Sequence, residues 1–181
     1  MTIRISLTLS DRDLRYFRDA VRQARDAVSD ADEEEIVGAI RDVVRDIRNQ
    51  GPLPDFIARR MPELELLTDM LDDSDWKLPA RERERLLATF IYFCDPEDLI
   101  PDDIPGIGFL DDIIMIELLL RELRHVADAY RDFRDFRERL NSESDSATRQ
   151  DRLQRRRSEL RARMRRRYES DRERGINTTL W

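Results

Sequence analysis

Ile113-Ile114-Met115-Ile116-Glu117-Leu118-Leu119-Leu120 is apolar nearly all round, and beyond it the apolar positions narrow to Leu119, Leu123, Val126, Tyr130 and Phe133. A spacing of four, three, four and three is the stripe of a helix buried along one side, whereas the run before it suits burial on every side. The stretch predicts one long helix with a buried start and a one-faced extension. Its apolar run, eight residues with a carboxylate inside, falls far short of the roughly 18 needed to span a bilayer.

C-terminal to this helix, residues 141–148 are a polar, Ser-rich linker, and residues 149–181 form a tail in which only Leu153, Leu160, Met164 and Tyr168 make a thin apolar stripe. From Arg149 to Arg174 the tail holds twelve arginines against five acids, while the rest of the chain holds 21 bases against 35 acids. Arg155-Arg156-Arg157 and Arg165-Arg166-Arg167 are ten residues apart, which on a helix leaves the clusters about 80° apart and makes a broad basic face with Arg161 and Arg163. Lys77 is the only lysine, and arginine forks suit phosphate and carboxylate alike. Three occupants fit: the acidic body or a protein partner, nucleic acid through its phosphates, and an anionic membrane surface. The sparse stripe and the absence of an aromatic platform weigh against the last two. The tail is expected to be a semi-independent basic helix.

On the N-terminal side, Leu86, Leu87, Phe90 and Ile91 predict a helix ending near Cys94, entered through Pro79 after a loop around Trp76. Further out, Phe56 and Ile57 precede an expected break at Pro62, and Leu64, Leu67, Met70 and Leu71 follow it. Leu14, Phe17 and Val21 after a Ser10 N-cap, then Ile36, Val37, Ile40, Val43 and Ile47 after Ser29 or Asp30, predict two helices paired as an antiparallel hairpin. Residues 1–9 alternate apolar with polar, a strand-like arm that would pair with a second copy or lie against the helices.

Five glycines and seven prolines in 181 residues leave too few turn formers for a sandwich or barrel. One cysteine and one histidine exclude an intramolecular disulfide and a Cys/His zinc site. The expected fold is all-α: a bundle of about five or six helices with a central helical hairpin, a strand-like arm and a basic C-terminal helix. The helical domain spans 10–140. With no secretory pattern at Met1–Leu9, the expected location is cytoplasmic.

Between the last two helices of that domain lies Tyr92-Phe93-Cys94-Asp95-Pro96-Glu97-Asp98-Leu99-Ile100-Pro101-Asp102-Asp103-Ile104-Pro105-Gly106-Ile107-Gly108-Phe109-Leu110-Asp111-Asp112. Pro101 and Pro105 stiffen an extended connector, Gly106 and Gly108 permit close backbone approach, and Asp111 and Asp112 sit where acids complement a helix start. Tyr92, Pro96, Asp98 to Asp102, Ile104-Pro105, Gly108 and Leu110 to Asp112 together resemble the YkvA-like family, a bacterial and archaeal domain of uncharacterised function, over about 86–126. The resemblance implies a helical hairpin around the connector and a membrane association in many relatives; Asp103 and Glu117 interrupt the apolar stretches that insertion would need here.

Asp98, Asp102, Asp111 and Asp112 admit three readings: caps that accept backbone N–H groups, a charged docking surface together with Tyr92, Pro96, Pro101, Pro105 and Gly108, or hard oxygen ligands for Mg²⁺ or Ca²⁺. They do not follow the order of an EF-hand loop, and Gly106-Ile107-Gly108 is not a phosphate loop. Cys94 is expected to be a packed thiol, because neighbouring acids raise its pKa. His125 reads as a solvated or helix-packing residue, and Glu117 as an exposed edge or a buried acid paired with arginine. No catalytic residue and no cofactor are expected. The expected function is a non-enzymatic interaction or adaptor protein, contacting a protein partner or a second copy through the acidic connector and the basic tail. The alternatives are a divalent-metal phosphoesterase built on the Asp98 to Asp112 carboxylates and a nonspecific nucleic-acid binder acting through the tail.

Overall fold

A computed structural model describes residues 8–10, 12–28, 32–49, 54–94, 100, 110–140 and 146–176. These form α1 (Leu14–Val28), α2 (Glu33–Asn49), α3 (Asp55–Ala58), α4 (Met61–Asp72), α5 (Ala80–Phe93), α6 (Leu110–Leu140) and α7 (Ser146–Glu173). The all-α expectation holds among the described residues, and none of their helices is long and apolar enough to cross a membrane. Residues 1–7 of the strand-like arm lie outside the described residues.

Local chemistry sets the helix starts. At α1 the Asp13 carboxylate accepts from the Ser10 backbone N–H at 2.8 Å and from its hydroxyl at 2.7 Å, one arm of a capping box. At α2 it is Asp32 whose carboxylate accepts from the Glu34 N–H at 2.9 Å; Ser29 and Asp30 lie outside the described residues. Pro62 falls in the first turn of α4, where a missing N–H costs nothing, so it opens that helix instead of breaking it. The single turn of α3 ends just before it.

The main core gathers the stripes of α2, α4, α5, α6 and α7 around Trp76, Phe90, Tyr130 and Phe133. The expected α1/α2 hairpin does not form. The α2 stripe is taken up by α4 and α5, and α1 instead packs along α5, burying Phe17 and Val21 against Ala88 and Met115 in a separate small cluster. Helices α5 and α6 pack against each other, as the central hairpin requires.

Helix α7 is not semi-independent. Leu153, Leu160 and Met164 are buried in the main core, and a ladder of ion pairs joins α7 to α6: Arg124 to Asp171, Asp128 to Arg167, and Asp132 to Arg163. Each step of four residues down α6 is a step of four up α7, the register of two antiparallel helices. The helix ends at Gly175, whose φ of +67° belongs to the left-handed region. There the Gly175 N–H donates to the Arg172 carbonyl at 3.1 Å and the Ile176 N–H to that of Asp171 at 3.0 Å, a Schellman cap.

Candidate functional site: the motif hinge and the arginine seam

The residues named from the sequence fall into two regions. At the hinge between α5 and α6, Asp111 and Asp112 occupy the first turn of α6 and are 1% and 2% exposed, against the strong tendency of carboxylates to stay in water. Asp111 Oδ2 accepts from the Ile100 backbone N–H at 3.1 Å. This contact ties the connector to the first turn of the helix it precedes. Asp111 Oδ1 is buried with no hydrogen-bond partner among the described residues. Tyr92, half-buried on the last turn of α5, packs on the small cluster under α1. Pro96, Asp98, Pro101, Asp102, Pro105 and Gly108 lie outside the described residues.

Cys94 closes α5, its backbone N–H donating to the Phe90 carbonyl at 3.0 Å. Burial pushes its thiol up to about 11, and the Asp112 charge adds to the effect. The thiolate is the nucleophile, so this thiol is held in its inert form. Among the described residues no group of three or more His, Cys, Asp or Glu side chains is placed to hold a metal ion. Glu117 is not the buried acid of one expected reading: about one-third exposed, it pairs with Arg60 at 2.5 Å and with Arg121 at 3.1 Å.

The second region is the face of α7. Arg157 donates to the Asp75 carbonyl at 2.6 Å, and Arg161 to the Trp76 carbonyl at 2.8 Å and to that of Lys77. These two arginines pin the α4–α5 loop, where Lys77 adopts a φ of +51°. Asp73 braces the same loop from inside: its Oδ1 accepts the N–H groups of Asp75 and Trp76 at 3.0 Å each, and its Oδ2 meets Arg137 at 2.7 Å and the Tyr130 hydroxyl at 3.1 Å. Arg156 lies 5.5 Å from the Phe136 ring centroid, Arg163 pairs with Asp132, and Arg167 pairs with Asp128 at 3.5 Å. Arg155, Arg165 and Arg166 are exposed; of these, only Arg155 has an ion pair among the described residues, with Asp151 at 2.6 Å on its own helix.

Two polar clusters beneath α7 escape sequence reading. Glu122 of α6 is 2% exposed and pairs with Arg85 of α5, while its backbone carbonyl accepts from the Tyr168 hydroxyl at 3.0 Å. His125 is part-buried with its Nε2 on Asp171 Oδ2, and its ring stands edge-on to Tyr168 at 4.9 Å. Its hydrogen bond, with help from Arg124, holds the Asp171 carboxyl below the usual carboxylate range. The one available signal was spacing: Arg124, His125 and Asp128 flank the α6 stripe on the side where Arg167 and Asp171 flank that of α7.

No curated protein and no solved structure matches the chain. One comparison does identify a relative family, and its extent coincides with the hinge: the last two-thirds of α5, the connector and the first nine residues of α6. Residues 85–118 match the model of the family described as Protein of unknown function (DUF1232), the family whose motif Tyr92 to Asp112 resembles.

Proposed function

We propose that the protein is an interaction module, not an enzyme, and that its family segment is the surface on which an amphipathic helix docks. The observation that carries this reading is the seat of α1. Every body residue in its cluster, Ala88, Tyr92, Ile114, Met115 and Leu118, lies within 85–118, and among the described residues α1 adds nothing to the main core. Burial of Phe17 and Val21 supports its docking by about 3–6 kcal/mol before ordering costs. That is small enough for α1 to leave without unfolding the rest. The partner is a helix with the apolar spacing of Leu14, Phe17 and Val21, and the acidic connector with the exposed Arg155 adds charged contacts. The inert Cys94 thiol and the engaged His125 support a non-enzymatic role.

The test is a labelled peptide of residues 12–28 titrated into the full chain and into a Phe17→Ala, Val21→Ala variant, whose own α1 is loosened. Tighter peptide binding by the variant is expected. Equal or absent binding, with protease cleavage showing that the variant's α1 is released, overturns the reading.

One observation favours a second reading, the divalent-metal phosphoesterase: the buried, unpartnered Oδ1 of Asp111. A cation there would need Asp98 and Asp102 as further ligands, since the described residues supply no complete set. Thermal melts with Mg²⁺ and Ca²⁺ on the native chain and on Asp111→Asn decide it. A metal-dependent rise lost in the variant supports the metal, and no rise removes it.

A further inference from the structure

A cleft of about 760 Å³ opens between the start of α5 and the C-terminal half of α7. Its size falls in the range of small-molecule sites. Arg81 and Arg85 enter it from α5, Arg165 and Arg172 from α7, and Met164, Tyr168 and Ile176 give it an apolar wall. Two of its acids are already paired with arginine: Glu122 with Arg85, and Asp171 with Arg124. Glu82 and Glu169 are the other acids of the lining.

The arginines of the cleft are set apart by where they lie, since Arg12, Arg15, Arg166 and Arg174 also lack an ion pair among the described residues. Around the molecule Arg83, Arg131, Arg134 and Arg137 each hold a carboxylate from another helix or loop. Arg81, Arg165 and Arg172 have no ion pair among the described residues, although the chain carries 40 acids against 33 bases. Arg81 also crowds Arg85, and Arg165 crowds Arg161, each disfavouring its neighbour's charge. Guanidinium groups that line one concavity without carboxylate partners are favoured by an anion placed between them.

We propose that this cleft binds a phosphorylated small molecule of nucleotide size, its phosphates held by Arg81, Arg165 and Arg172. A di- or triphosphate packs several negative charges into a volume that the three guanidinium forks can share, which a single carboxylate cannot do. The body of the ligand lies on Met164, Tyr168 and Ile176, and its hydroxyl or amino groups donate to Glu82 and Glu169. The site is independent of the helix-docking surface: none of its residues belongs to the α1 cluster.

Calorimetric titration of the full chain with inorganic pyrophosphate and with ADP tests the site, with vesicles containing phosphatidic acid as a separate arm. Binding of ADP tighter than pyrophosphate, weakened about tenfold or more in an Arg81→Ala, Arg172→Ala variant and unchanged in Arg166→Ala, is the expected result. These side chains are exposed, so the variants keep the fold, as an unchanged melting temperature verifies. No binding of either soluble ligand, or binding equally reduced by Arg166→Ala, overturns the proposal. Binding of the vesicles alone overturns it too, assigning the arginines to a membrane surface.

Discussion

Arg161 lays its guanidinium 5.8 Å from the ring centroid of Trp76 while donating to the carbonyl of the same residue. One side chain from the C-terminal helix thus meets both faces of the problem posed by a loop tryptophan: an aromatic surface to cover and backbone oxygens to satisfy. Arg161→Ala is expected to lower stability by about 2 kcal/mol, combining lost charged hydrogen bonds with a lost cation–π contact. Arg161→Lys recovers less than half, having no planar fork. Urea unfolding of the three proteins measures the difference.

The α6/α7 ladder is open to a swap. Asp132 and Arg163 are about two-fifths exposed, so each single charge reversal costs only about 0.5–1 kcal/mol. The double variant Asp132→Arg, Arg163→Asp restores most of it, giving a measurable coupling energy in a double-mutant cycle. Additive losses would mean that the pair is only incidental to the docking of α7.

Glu122 and Arg85 behave differently because Glu122 is buried and Arg85 largely shielded. Arg85→Met leaves a carboxylate that is 2% exposed without its cation and is expected to cost about 3–5 kcal/mol. Adding Glu122→Leu to that variant recovers most of the loss, since an apolar pair of similar volume avoids desolvation altogether. Thermal denaturation of the single and double variants reads both effects.

The Cys94 thiol gives a pH signature. Its folded pKa of about 11 lies above that of an unfolded cysteine, so the folded state holds the proton more tightly. The contribution is fully present below the unfolded value, roughly 8.5, and is lost as pH rises through the folded one. Stability therefore declines between about pH 8.5 and 11 in a component that Cys94→Ala removes, and iodoacetamide labels the native chain slowly at pH 8. Rapid labelling at that pH would show an accessible thiolate.

How far the structure could be read from the residues depends on which interactions are local. The length of α6 and its buried stripe follow from the spacing of Leu119, Leu123, Val126, Tyr130 and Phe133, because helical periodicity is a property of the chain itself; the all-round burial expected at its start does not form, since Ile113, Ile114, Leu118 and Leu120 are only half-buried. The destination of α1 does not follow. Leu14, Phe17 and Val21 announce an apolar face but not its acceptor, and α2 was already committed to α4 and α5. Pro62 reads equally as a break or as a first turn, and only the packing of Met61 and Leu64 decides. At the hinge, the place of Asp111 in a first helical turn was legible because it depends on local sequence; its hold on the Ile100 N–H, eleven residues earlier, was not. The burial of Glu122 was not, since a carboxylate one residue off a stripe looks like the polar flank.

The seam between α7 and the rest of the molecule has a consequence for how the protein is made. Arg161 and Trp76 are 85 residues apart, and Leu153, Leu160 and Met164 belong to the same core as α2 and α4. A ribosome adding about 5–20 residues per second exposes the Trp76 pocket for several seconds before the helix that closes it emerges. Until then the nascent chain presents an open apolar trough and a loop with unmet carbonyls, the state in which a chaperone or a misplaced neighbour has its chance. A transcript truncated after Leu140 freezes the chain at that stage, and its product enters the insoluble fraction.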